Sequence, residues 1–243
     1  FSRHAPRIQL EFFDDAQDKS PASTFDLDPT RHRTGDIWHV WVQGVRPGQL
    51  YAYRAAGPYR PLEGHRFNVN KLLLDPLTTA VTLKDHWDFG PARGYDPAAA
   101  NDAAIPSELD DAGAMPKCVF THEHFDWEDE RPPKHPWPAT VLYEVHVRGC
   151  TIHPSSGVEN PGTYRGLVSK IPYFSKLGVT ALELMPVMEF NAEELTQVNP
   201  ATGERLRNYW GYNPVAFTAP ESSYCSSGSR GHQKLEFKEM IKA

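Results

Sequence analysis

The sequence predicts a multi-domain chain of the β plus α/β class, an N-terminal antiparallel β-sandwich followed by a domain that begins to alternate strand and helix. Three observations predict it. Short alternating or aromatic-rich runs separated by turn formers fill the first 85 residues. Periodicity then dissolves, and from residue 140 onward an apolar strand, a helical stripe and a second apolar strand follow one another.

In the first segment, 1–85, Arg7-Ile8-Gln9-Leu10-Glu11-Phe12 alternates polar with apolar, and Ile37 to Val42 and Leu50 to Ala55 are rich in β-branched and aromatic residues. Asp14-Asp15, Asp28-Pro29, Gly35-Asp36 and Arg46-Pro47-Gly48 punctuate them as turns. Short strands at this spacing suit a small sandwich. Residues 86–139 carry Arg131-Pro132-Pro133 and Pro136-Trp137-Pro138 and are expected as an extended connector. Its Trp87, Phe120, Phe125, Trp127 and Trp137 would gain from burial against a neighbour.

The third segment, 140–243, opens on Val141 to Val147, a strand candidate. Leu167, Ile171, Phe174 and Leu177 share one helical stripe, Pro172 can start a new turn, and Gly178 is a helix stop. Val179 to Met185, ended by Pro186, reads as a buried parallel strand. Together these form one βαβ unit. A polar excursion from Glu189 to Asn208 follows, and a helix is expected from Gln233.

Composition excludes several classes. With 243 residues, 40% hydrophobic and 23% charged, the chain has the makings of a globular core. A net charge of −6 argues against nucleic acid as a partner. No apolar run reaches the roughly 18 residues of a membrane helix. Cys118, Cys150 and Cys225 are odd in number and far apart, so neither a disulfide framework nor a zinc knuckle is expected, and a reducing cytoplasm is the simplest compartment. A start at Phe1 and an end at Ala243 without a stop signal suggest a piece of a longer chain.

Four stretches carry a resemblance. They are Tyr143-Glu144-Val145-His146-Val147-Arg148-Gly149 with Thr151 and His153-Pro154; Leu177-Gly178-Val179-Thr180; Glu183-Leu184-Met185-Pro186-Val187; and Asn208-Tyr209-Trp210-Gly211-Tyr212-Asn213, with Ala219 to Tyr224 in accord. In order and spacing they resemble the opening of the catalytic barrel in the isoamylase and glycogen debranching group of the alpha-amylase clan. Gly57-Pro58-Tyr59 and Asn70 to Pro76 similarly resemble the carbohydrate-binding-module-like sandwich that precedes that barrel. The resemblance implies the first two strands of a (β/α)8 TIM barrel, truncated.

It implies function as well. Such enzymes hydrolyse α-1,6 branch linkages of glycogen and limit dextrin by a retaining mechanism, which needs two carboxyl groups about 5 to 5.5 Å apart. Those carboxylates belong to later barrel strands, so none is expected before Ala243 and the chain alone is expected to be inactive. The partner implied is a branched α-glucan. Tyr212 matches the family's aromatic platform, which stacks on the sugar ring whose bond is cut; Tyr209 and Trp210 stand between ligand contact and packing. A pyranose presents apolar, weakly polarised C–H groups that suit an aromatic face.

Other candidates carry less. Glu144 and Glu183 read as structural hydrogen-bonding residues of the strands, Trp38 and Trp41 as half-buried strand aromatics, and His122, Glu123, His124 and Asp126 as a solvated loop. The family's structural calcium would draw on Glu189, Asn191 and Glu221. Phe190 and Ala192 depart from that pattern, so no cofactor is assigned and calcium stays open. Two alternatives remain, a branching enzyme or maltooligosyltrehalose hydrolase of the same clan, and a non-catalytic glucan-binding remnant.

Overall fold

The computed structural model describes all residues except 85–86, 97–103, 123 and 229. They form two compact units, Phe1–Thr78 with Lys84–Thr121, and Thr79–Leu83 with His122–Ala243.

The first unit is built on β1 (Arg7–Phe13), β2 (Ser23–Leu27) and β5 (Leu50–Ala56), with β3 (Arg33–Thr34), β4 (Ile37–Trp38), β6 (Tyr59–Arg60), β7 (His65–Arg66) and β8 (Cys118–Val119). The main sheet has the order β2-β1-β5-β8, and all its pairs are antiparallel. The period-2 alternation of β1 separates its residues between two faces. Ile8 and Leu10 join Leu27, Ala55 and Ala5 in one core, with Phe12, Phe25, Trp38, Val40, Tyr53 and Phe67 against it. Phe13, Leu50 and Ala52 point the other way and are also buried.

That second face carries a buried ion pair. Arg54 Nε donates to Glu11 Oε2 at 2.9 Å, and the guanidinium also reaches Asp110 Oδ1 at 3.0 Å and the Val69 carbonyl at 2.8 Å. Burying two charges is tolerated because every guanidinium nitrogen finds an oxygen.

Two expectations change here. Around the four-stranded sheet the expected sandwich has ladders only two residues long, β3 with β4 and β6 with β7. The strand expected over Ile37 to Val42 is a ladder only at Ile37–Trp38, although Trp38, Val40 and Val42 all pack against the core. Second, residues expected within the 86–139 connector are part of the unit. Phe120 exchanges backbone hydrogen bonds with Gly48 and Gln49, at 2.7 and 2.9 Å, and Val119 pairs with Leu50. Lys71 Nζ holds the carbonyls of Pro91 and Leu109, and Asp111 caps Leu72 N–H at 2.8 Å. A strand of two residues is too short to leave a period in the sequence.

The second unit contains β9 (Leu142–Val145), α1 (Val147–Thr151), α2 (Tyr164–Val168), α3 (Ile171–Leu177), β10 (Ala181–Leu184), β11 (Met188–Phe190), β12 (Pro214–Pro220) and α4 (His232–Lys242). β9 and β10 pair in parallel, Leu142 with Ala181 through Val145 with Leu184. Pro172 lies in the first turn of α3, where its missing N–H costs nothing, and Gly178 ends the helix at φ +86°. Val145, Val147, Tyr164, Leu167, Phe174, Phe190 and Tyr224 form the core.

The strand expected to run to Val147 stops at Val145. His146 caps a helical turn instead, its ring accepting from Gly149 N–H. After β10, β11 and β12 form an antiparallel ladder that the polar composition between them concealed. α4 begins one residue before the expected Gln233, and that residue's Nε2 donates to the Val81 carbonyl at 2.8 Å.

Candidate functional site

The three aromatic residues expected to meet sugar lie in the loop that leads into β12, and all are open to solvent: Tyr209 at 49% exposure, Trp210 at 61% and Tyr212 at 67%. The loop's shape follows from its sequence. Gly211 adopts φ +87°, and a Cβ there would lie 3.0 Å from the Phe190 ring and 3.2 Å from Pro186, so only glycine lets the backbone settle onto that floor. Asn208 braces the turn, its N–H donating to the Ala192 carbonyl at 2.9 Å and its Oδ1 accepting from Gly211 N–H at 3.1 Å. Trp210 and Tyr212 meet edge to face, 6.5 Å between centroids and 81° between planes.

His146, the residue just past β9, joins this loop to the C-terminal end of the strand. Its ring stacks on Tyr209 at 4.3 Å and 9°. Nε2 lies 2.8 Å from the Tyr209 carbonyl and 3.2 Å from the Tyr224 hydroxyl, while Nδ1 accepts from Gly149 N–H at 3.0 Å. Sequence reasoning left His146 without a role. A contact across 63 positions has no local signature, although a polar ring at the end of an apolar strand was the available signal.

Under the loop is a buried polar floor. Glu189 and Glu221 are both fully buried. Glu189 accepts from Ser222 N–H at 2.9 Å and from its hydroxyl at 3.2 Å. Glu221 accepts from Phe190 N–H at 3.2 Å and Ser223 N–H at 3.1 Å. The two carboxylates thereby clasp β11 to the segment after β12. The Tyr164 hydroxyl donates to the Glu221 carbonyl at 3.1 Å. Burial, then the nearby Glu221, pushes the hydroxyls of Tyr164 and Tyr224 well above their ordinary pKa.

The oxygens considered for calcium are thus engaged with protein donors, and Asn191 Oδ1 accepts from Glu193 N–H at 2.9 Å. Among the described residues no group of three or more His, Cys, Asp or Glu side chains is placed to hold a metal. Glu144 and Glu183 are exposed neighbours in register on β9 and β10. Trp38 packs on the core with Nε1 donating to the Ser2 carbonyl, whereas Trp41 stands free at 82% exposure. Of the His122 to Asp126 group, Glu123 lies outside the described residues.

An open aromatic loop at the C-terminal end of a parallel strand, on a rigid polar floor, is an arrangement suited to stacking against a sugar. Residues 1–78 match the family carbohydrate-binding module 48 (isoamylase N-terminal domain). Along its entire length the chain is 40% identical to a glycogen debranching enzyme of Yersinia enterocolitica and 41% identical to one of Salmonella paratyphi B. It spans about a third, 34%, of the length of each.

Among solved structures, the catalytic module of the glycogen-degrading pneumococcal virulence factor SpuA superposes with a TM-score of 0.68 at 20% identity, over 100% of this chain and 33% of that one. Pullulanase type I of Bacillus subtilis, complexed with maltose, gives 0.62 at 24% identity, over 98% and 28%. At these identities the likeness is one of fold.

Proposed function

We propose that this chain is the N-terminal part of a glycoside hydrolase that cleaves α-1,6 branch linkages of glycogen or limit dextrin. The observation that carries the reading is the exposed Tyr209–Tyr212 loop at the C-terminal end of β9, in a chain 40% identical throughout to glycogen debranching enzymes. In this reading β9 and β10 are the first two strands of a (β/α)8 barrel, whose active site is built at the C-terminal ends of its strands. Tyr212 stacks on the sugar at the scissile bond, with Trp210 and Tyr209 beside it. The first unit is a carbohydrate-binding-module-like domain. The nucleophile and general acid of a retaining mechanism come from strands beyond Ala243. The partner is a branched α-glucan and the compartment the cytoplasm.

The exposed edge of the β9 and β10 pair supports this reading over a self-sufficient glucan-binding remnant. Val141, Leu142 and Tyr143 are 50, 59 and 38% exposed, and apolar residues on an open strand edge invite further pairing. Product analysis tests the activity. The full-length protein should release linear maltooligosaccharides from phosphorylase-trimmed glycogen. New branch points without net release of reducing ends would assign it to branching instead, and release of trehalose from added maltooligosyltrehalose to maltooligosyltrehalose hydrolysis.

A further inference from the structure

We propose that His146 is the positioning residue of the aromatic platform, holding the loop of Tyr209 and Tyr212 over the end of β9 in the geometry an α-glucan ring requires. The inference rests on the reading of Tyr212 as a sugar platform and adds the residue that sets its geometry.

His146 Nδ1 accepts from Gly149 N–H, so the ring carries its hydrogen on Nε2. Nε2–H then donates to the Tyr209 carbonyl at 2.8 Å, with the Tyr224 hydroxyl oxygen at 3.2 Å beside it. Tyr224 is 2% exposed and edge-on to both His146 and Tyr164, so it is a fixed wall for the ring. The other face of the contact is the stack on Tyr209, 9° from parallel. One side chain therefore grips the loop by backbone and by ring together.

The rest of the loop shows why that grip matters. Asn208 is braced to Ala192, and Gly211 sits on Phe190 and Pro186. Tyr209 and Trp210 span the interval between those anchors, and His146 holds it from below. Gly149 belongs to the same device. A Cβ on it would lie 2.7 Å from the Tyr209 hydroxyl oxygen, so a side chain there would push the Tyr209 ring out of its present stack. Capping α1 alone would explain the Gly149 bond to Nδ1. It leaves unexplained the carbonyl bond, the stack and the steric match of Gly149 to Tyr209.

The test is titration of the full-length protein with maltoheptaose, beside thermal melting of each variant. His146→Phe keeps a ring and removes both nitrogen contacts; it should weaken binding between about 3- and 10-fold, the range one neutral hydrogen bond commands. His146→Gln, which restores a donor near Nε2, should bind within about 2-fold of the parent. Gly149→Ala should weaken binding comparably while leaving every His146 atom in place; introduced into Tyr209→Phe, where the clashing hydroxyl is gone, it should cause no further loss relative to Tyr209→Phe alone.

Lower melting temperatures with unchanged binding would overturn the proposal, as would a Gly149→Ala loss equally large in the Tyr209→Phe background. If His146→Phe fails to fold, the Gly149 pair decides. Tyr212→Ala separates the two levels. Where it weakens binding and the His146 and Gly149 variants do not, the positioning role alone falls; where it changes nothing, the platform reading falls with it.

Discussion

Replacing Gly166 by Ala puts a methyl group where the second unit has no room for one. In an ordinary helix interior that exchange stabilises by about 1 kcal/mol. Here the new Cβ would lie 2.2 Å from the Asn160 carbonyl oxygen and 2.9 Å from Thr151 Oγ1. Neither neighbour is free to move. Asn160 O accepts from the Thr163 hydroxyl at 2.8 Å, and Thr151 Oγ1 accepts from Gly162 N–H at 2.7 Å. Overpacking costs about 1–3 kcal/mol. Drawing Thr151 away leaves a buried N–H unpaired, for about 1–3 kcal/mol more.

Against the propensity gain, the net is a loss of about 3 kcal/mol. Because α2 also carries Tyr164, whose hydroxyl braces the Glu221 carbonyl, the disturbance reaches the floor under the aromatic loop. Urea unfolding read by linear extrapolation measures it, with an unchanged slope marking a pure stability effect. Gly157→Ala is the control: its φ is +64° with nothing within 4 Å, so only the left-handed backbone strain of about 1–2 kcal/mol applies. A Gly166→Ala chain as stable as the parent, or no less stable than Gly157→Ala, would refute the reasoning.

Three further outcomes follow from the same geometry. Tyr212→Ala should weaken maltoheptaose binding by about 3- to 10-fold through loss of an exposed stacking face, measured by calorimetric titration. Glu221→Gln turns an amide N–H₂ toward the N–H of Phe190 or Ser223 and should cost about 1–3 kcal/mol in urea unfolding. Lys117 is fully buried, donates to the Ala16 and Ala112 carbonyls, and is pushed down by burial to a pKa of about 8. The folded state thus binds fewer protons than the unfolded one above that pH, and stability should rise by about 1 kcal/mol between pH 8 and 9. Burial raises the Cys118 thiol to about 12, so stability falls as the unfolded thiol titrates around pH 9, which offsets part of that rise; the Lys117 contribution is the difference between the parent and Lys117→Met. Lys117→Met should abolish the rise, which unfolding curves at pH 7, 8 and 9 would reveal.

Elements decided by neighbours a few positions away were legible in the amino-acid sequence. The alternation of Arg7 to Phe12 became β1, Leu50 to Ala55 became β5, and the apolar run ended by Pro186 became β10. Pro172 and Gly178 marked the bounds of α3 because each restricts or frees its own φ, whatever surrounds it. The glycine between Trp210 and Tyr212 belongs with these: a positive φ is written into the residue itself.

What joins distant parts of the chain was decided by tertiary structure alone. β8 exists because Val119 finds Leu50, not because two residues have a strand's period. Val147 continues an apolar run, yet it starts a helical turn because the His146 ring captures the Gly149 amide. The aromatic loop could be named from its motif. Its orientation comes from a ring 63 positions earlier, stacked on Tyr209 and held by Tyr224. Propensity acts along the backbone within a few residues, whereas these contacts form only when folding brings together side chains the sequence keeps apart.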